Sequence, residues 1–239
     1  MLNRDKGAAP LYSQLEQILR KKIEHGEYCK GDFLPTEKQI MEEYDTSRMT
    51  VRQALAELAQ NNYIKSRRGV GTEVIYEKID EHIENVISFT EEMKRHNISM
   101  QTSYCHMEKI KPNEKVAMAL NISLTDKCYC LLRVRDVDGK PLVYTRTYLK
   151  DIVELPEDES YYMESLYKYL NDAHGIQIEK GQDTLEAALP NEEVMKFLKI
   201  DKSMPIFKRT RQTFITGGEV FEYSICYYPG NRYKYTVDL

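Results

Sequence analysis

The sequence predicts an α+β protein: an N-terminal winged helix-turn-helix followed by a second α+β domain built on an antiparallel sheet. Three observations carry this. Apolar residues recur at helical spacing in three segments between residues 11 and 61, and a short hairpin pattern around RRGVG follows them. Further along, β-rich stretches are joined by DVDGKP and ITGGEV, whose Asp-Gly and Gly-Gly pairs suit hairpin turns. At 239 residues the chain has room for two domains. The expected boundaries are 1–76 for the first, 77–84 for a linker and 85–239 for the second.

In LYSQLEQILRKKIEH, residues 11–25, Leu11, Leu15, Ile18, Leu19 and Ile23 form one apolar stripe of a helix, and Gly26 stops it. GDFLPTEKQIMEEY restarts a helix, with Thr36 as N-cap after Pro35, Glu37 in the first turn where the dipole favours an acid, and Ile40, Met41 and Tyr44 inward. Asp45 and Thr46 break that helix. Ser47 then caps a third one running to about Asn61, with Val51, Ala54, Leu55 and Leu58 inward. YIKS, RRGVG and TEVI complete a two-stranded wing.

The third helix carries unusual chemistry for a surface segment. In SRMTVRQAL, residues 47–55, Ser47, Arg48, Thr50 and Arg52 project from the first turns while the apolar residues hold the helix to its neighbours. A major groove about 12 Å wide admits one helix, and the N-terminal residues of such a helix reach base edges. Arginine chelates guanine, and hydroxyls suit phosphates. In the wing, Arg67 and Arg68 add charge, and Gly69 and Gly71 let the backbone approach DNA closely.

The run LPTEKQIMEEYDTSRMTVRQALAELAQNNYIKSRRGVGTEV resembles the DNA-binding half of GntR-type bacterial transcription regulators, over residues 10–75. Lys38 stands where the family commonly has arginine, and Glu73 where its wing strand commonly has an aromatic. With the resemblance, Thr36, Lys38, Ser47, Arg48, Thr50, Arg52, Arg67, Arg68 and Gly69 are the candidate contacts to double-stranded DNA.

Composition narrows the alternatives. With 41% hydrophobic and 30% charged residues the chain is ordinary for a globular protein and too apolar for wholesale disorder. Counted on the sequence, residues 1–75 hold 12 Lys+Arg against 11 Asp+Glu, and the rest 22 against 27, so the placement of charge rather than its sum points to nucleic acid. No run approaches the roughly 20 apolar residues of a membrane span, no apolar signal core opens the chain, and a cytoplasmic protein is expected. The five cysteines are odd in number and scattered, which fits reduced core thiols better than a metal site. Cys128 and Cys130 are expected on opposite faces of a strand. The five histidines lack local acid–base partners, and no glycine-rich phosphate loop, G-x-S-x-G elbow or His-x-x-x-His pair is present. No enzyme, cofactor or metal is expected.

In the second half, EKIDEHIENVISF is read as a linker running into a short helix that FTEEMKRH continues. SYCHMEKIKP begins a strand, NEKVAMALNI is a helix capped near Asn113, and ESLYKYLNDAHGI is a helix stopped by Gly175. Arg133 and Arg135, two apart on a strand, leave the same face about 6.6–6.8 Å apart. Such a pair either meets surface carboxylates or grips an anion with its forked donors. Ser165 would add a hydroxyl at a helix start.

SFTEEMKRH, LLRVRDVDGKPLVYTRTYL, SLYKYL with its following GI, and VFEYSICYYPGNRYKY resemble, in order, the effector-binding UTRA domain of the HutC branch of these regulators. Pro229 and Asn231 depart from that family's C-terminal block. The resemblance implies an effector site at Phe89, Thr90, Arg133, Arg135, Ser165, Tyr167, Glu222 and Tyr228, with Glu222 accepting from sugar hydroxyls and the aromatics covering sugar faces. It implies a homodimeric repressor that reads a palindromic operator and is released by a small anionic effector. A sugar phosphate leads, while organic acids, amino-acid derivatives and phosphonates also satisfy two arginines. The alternative is a small-molecule-binding or enzymatic C-terminal domain tethered to DNA.

Overall fold

The structure, a computed structural model, describes residues 2–5, 7–67, 69–82, 88–95 and 97–236. The chain divides into two compact units, Met1–Lys78 and Ile79–Leu239.

In the first unit, helix α1 (Leu11–Glu24) buries Leu15, Leu19 and Ile23, spaced four apart on one face. Helix α2 (Glu37–Tyr44) opens with a capping box: the Thr36 hydroxyl accepts from the Gln39 backbone N–H at 3.3 Å, while the Gln39 side chain accepts from the Thr36 N–H at 2.8 Å. Asp45 ends it in the left-handed conformation at φ 46°. Helix α3 (Arg48–Gln60) follows, with the Ser47 hydroxyl accepting from Thr50 N–H, and it buries Val51, Ala54 and Leu58. Leu55 is only partly buried against the same core. Strands β1 (Ile64–Arg67) and β2 (Gly71–Val74) pair antiparallel as the wing, and Tyr63, Ile64 and Val74 pin it to the helices. Phe33 packs over Gly71, whose φ of 141° and 3.0 Å clearance explain glycine there.

The second unit is built on one six-stranded antiparallel sheet, ordered β4-β5-β6-β9-β8-β7. Its strands are β4 (Met100–Ile110), β5 (Cys128–Val137), β6 (Lys140–Lys150), β7 (Ile178–Ala188), β8 (Ile206–Ile215) and β9 (Val220–Pro229). Two hairpins, β5–β6 through Asp138-Gly139 and β8–β9 through Gly217-Gly218, meet where β6 pairs with β9. Asp138 and Gly139 both take positive φ, 53° and 70°, as a primed two-residue turn requires.

Helices cover both faces. Helices α5 (Glu114–Leu120, capped by Asn113) and α7 (Glu192–Leu198, capped by Asn191) pack on one side with Cys128, Cys130, Val134, Tyr144 and Tyr223. Cys128 and Cys130 therefore share a face, against the expectation that they diverge, because side chains two apart on a strand point the same way. On the other side, helix α6 (Leu166–His174), ended by left-handed Gly175, and a short 3-10 helix (Glu159–Tyr162) form one apolar cluster with Leu131, Leu149 and Phe221. Helix α4 (Phe89–Arg95) forms another with Val137, Val143 and Tyr228.

Part of the expected 77–84 linker is regular structure. Ile79–His82 form a strand, β3, that pairs in parallel with β10 (Tyr233–Thr236) near the C-terminus. Its partner lies far away in sequence, so local pattern did not announce it. Strand β7 and helix α7 were likewise outside the sequence-based expectations. Among the described residues, no helix is long and apolar enough to cross a membrane.

Candidate functional site

Two sites take shape, one in each unit. In the first, the capped start of α3 and the wing form a polar surface opposite the apolar seam. Ser47, Arg48 and Arg52 are exposed and Thr50 is half-buried. The Arg48 Nε donates to Glu37 at 2.8 Å, so an acid in the first turn of α2 orients the first arginine of α3. The remaining guanidinium donors of Arg48 face outward, its side chain being 73% exposed. Arg52 has no ion pair among the described residues.

Thr36 caps α2 and is exposed, and Lys38 extends from the same turn with only a loose contact to Glu42 at 3.8 Å. Arg67 pairs with Glu73 across the wing at 2.8 Å, which gives the charged residue at 73 a structural partner. Gly69 turns the wing tip with φ 78°. Arg68 lies outside the described residues. Glu37 and Glu73 were not among the expected functional residues, although each is visible as an acid within reach of an arginine.

The second site is a cavity on the face of the six-stranded sheet that carries α4 and α6. It encloses about 450 Å³ of empty space, counting its open mouth. Along each central strand the buried face reads apolar, polar, polar, apolar: Leu131, Arg133, Arg135, Val137 on β5, and Leu149, Thr147, Thr145, Val143 on β6. The two apolar clusters on that face thus leave a polar gap between them, and the gap is the cavity. Of the expected residues, Phe89, Arg133, Arg135, Tyr167, Glu222 and Tyr228 line it. Ser165 sits one layer back: it caps α6, and its hydroxyl donates to Ser88, which does line the cavity, at 3.1 Å. The Thr90 hydroxyl is buried without a hydrogen-bond partner among the described residues and does not line the cavity.

Sequence reasoning missed Thr145, Thr147 and Ser224 on the floor and Arg209 and Arg211 on β8. A signal was present: RTR at 209–211 repeats the two-residue arginine spacing of RVR at 133–135.

The electrostatics are lopsided. Arg133 and Arg135 are 4% and 5% exposed. The Arg133 guanidinium donates to the backbone carbonyls of Tyr162 and Glu164, at 3.2 and 3.1 Å, and among the described residues to no carboxylate. Arg135 lies over the Phe89 ring at 5.8 Å. The Nε of each is unpartnered among the described residues. Burial lowers the pKa of Arg133, and burial together with the neighbouring Arg133 pushes Arg135 down to about 9. Both guanidiniums sit in a place that disfavours charge.

Glu222 is the one acid among the described lining residues, and it accepts from the Tyr167 hydroxyl at 2.7 Å and the Thr213 hydroxyl at 3.1 Å. Burial, then the Glu222 charge, raises the Tyr167 pKa well above its ordinary value, so Tyr167 remains a donor. Arg211 is different from the β5 pair. Its Nε and Nη2 grip both oxygens of Asp183, each at 2.7 Å, and that partner raises its pKa against the opposing effects of burial and Arg209.

The comparisons agree with this two-part architecture. The family model described as bacterial regulatory proteins, gntR family, matches residues 11–74, and the UTRA domain model matches residues 95–234. The chain is similar to the mannosyl-D-glycerate transport/metabolism system repressor MngR of Escherichia coli (strain K12), 29% identical over 97% of this chain and 96% of that protein. It is similar to the HTH-type transcriptional repressor NagR of Bacillus subtilis (strain 168), 27% identical over 95% of this chain and 93% of that one. Among solved structures it is similar to PhnF from Mycobacterium smegmatis, with a TM-score of 0.64 and 25% identity over 96% of this chain and 99% of the other. The chain belongs to the gntR family of bacterial regulatory proteins and carries a UTRA domain after its winged helix-turn-helix.

Proposed function

We propose that the protein is a cytoplasmic, homodimeric transcriptional repressor that binds a palindromic operator and is released by a small anionic effector, most simply a sugar phosphate. The observation that carries the effector class is the buried Arg133–Arg135 pair. Two guanidiniums on one strand face, shielded from water and without a carboxylate partner among the described residues, cost free energy until an anion joins them. Thr145, Thr147 and Ser224 supply hydroxyls, Glu222 an acceptor, and Phe89 and Tyr228 apolar faces, which together suit a polyol attached to that anion. The names of the relatives run the same way: one is a repressor of a mannosyl-D-glycerate system and another a probable repressor of a fructoselysine utilization operon.

On the DNA side, Ser47, Arg48, Thr50 and Arg52 read and position from the start of α3, with Thr36, Lys38, Arg67 and Gly69 as supporting contacts, one helix per half-site. Arg68 completes this set from the sequence alone. The first domain ends near residue 76, and the segment from 77 to 84 carries the signal between the two domains. Release requires the effector to prefer the non-binding arrangement by several kcal/mol.

A gel shift of the full chain against its own upstream intergenic DNA tests the reading. Sub-micromolar, sequence-dependent binding that a phosphorylated sugar reverses is the expected result; equal affinity for scrambled DNA overturns it.

A further inference from the structure

We infer that Met49 reads thymine: its thioether side chain packs against the 5-methyl group of a thymine in the major groove, once in each operator half-site. This rests on the operator binding proposed above and adds a base identity to it, through a residue outside the contacts named there.

The geometry of α3 carries it. Val51, Ala54 and Leu58 are buried and hold the helix to its unit. At about 100° per residue, Met49 falls about 170° around the helix from the middle of that stripe, so it crowns the outward face in the first turn. Arg52 and Gln53, three and four residues on, neighbour it on either side, and both are exposed. Arg48 and Thr50 lie nearer the flanks, and Thr50 is half-buried. The side chain that points most directly away from the protein at the start of α3 is therefore apolar, in a polar surrounding.

Its exposure sets it apart. Met49 is 79% exposed, against 48% for Phe33 and 64% for Val70, the other large apolar side chains exposed among the described residues of this unit. Phe33 has a structural use, since it packs over Gly71. Met49 takes no part in the apolar core of the unit, and the helix start is already capped by the Ser47 hydroxyl. One apolar side chain ringed by Ser47, Arg48, Arg52 and Gln53 is too small a patch to hold a protein partner. It is the right size for a methyl group. In the major groove thymine shows, beside its O4 acceptor, the one methyl that any base edge presents there. An unbranched, polarisable thioether adapts to that methyl, and their contact removes apolar surface from water on both sides.

Gel shifts of the full chain on its own upstream intergenic DNA, prepared once with thymine and once with uracil throughout, test this. The two fragments differ only in the 5-methyl groups, which lie in the major groove, so a wing that reads the minor groove is blind to the change. Wild-type protein is expected to bind the uracil fragment about tenfold more weakly, the scale of losing one methyl-sized contact in each of two half-sites. Met49→Gln, which keeps the length of the side chain and its helix propensity, should bring the two affinities close to equality. Met49→Leu should retain the wild-type preference. Met49→Ala gives the same comparison should the glutamine variant bind too weakly to measure. Equal binding of the two fragments by wild-type protein overturns the inference, as does an undiminished preference in Met49→Gln. In either case, sequence-dependent binding of the thymine fragment leaves the repressor reading standing. Equal affinity of wild-type protein for that fragment and for its scrambled counterpart overturns both.

Discussion

Arg133 and Arg209 stand on the same rung of the six-stranded sheet, separated by Thr145 and Cys226, although they belong to different hairpins. Each hairpin brings an arginine pair on its outer strand, and the β6–β9 junction turns the two pairs toward one cavity. A polar interior on a sheet whose opposite face is packed with Tyr144, Val134 and Leu198 is a binding site made by register.

The β5 pair gives the most direct test. Arg133→Ala and Arg135→Ala should each weaken binding of a phosphorylated sugar by about 1.5–3 kcal/mol, the range for a hydrogen bond to a charged group, while operator affinity without effector stays at the wild-type value. Calorimetry and operator titration measure the two halves. Retained ligand affinity in the double variant would leave the arginines without a binding role.

The same pair makes a prediction of opposite sign for stability. Replacing Arg135 by Met removes a buried charge that has no ion pair among the described residues and keeps the apolar stem, so the ligand-free protein should melt at a higher temperature than wild type. An anion that binds should raise the melting temperature of wild type more than that of the variant.

On the DNA side, Arg48→Ala should cost about 1–3 kcal/mol in operator binding and relax specificity at one base pair. Arg67→Ala should weaken operator and random DNA alike and lower the salt slope by roughly one phosphate contact. Gel shifts across a salt series separate the two. An equal loss for operator and random DNA in Arg48→Ala would reassign that residue to a phosphate.

The Asp183–Arg211 pair predicts acid sensitivity. Arg211 depresses the Asp183 pKa despite the opposing effect of burial. The carboxylate therefore contributes stability above its unfolded pKa, about 3.9, and that contribution is lost as pH falls through the lower folded value. Chemical denaturation at pH 7 should find Asp183→Asn less stable than wild type, with the gap narrowing below pH 4. A gap that does not change with pH would mean that the ion pair is not its source.

The first unit was legible from sequence because its determinants are local. Leu15, Leu19 and Ile23 mark a helix face within one segment, the Thr36 and Ser47 caps act three residues away, and Gly69 and Gly71 sit in the wing they shape. In the second unit, spacing alone showed that Arg133 and Arg135 share a face and that DVDGKP makes a hairpin. Strand β3 falls within the expected linker because its partner, β10, lies at the other end of the domain. Strand β7 was missed because an exposed edge strand reading IEKGQDTLEAA shows no apolar alternation. What only tertiary structure decided is that β6 pairs with β9. Nothing within either hairpin specifies that junction; it arises from burying both hairpins' apolar faces under α5 and α7, and it is what carries Arg209 and Arg211 to the cavity that Arg133 and Arg135 begin.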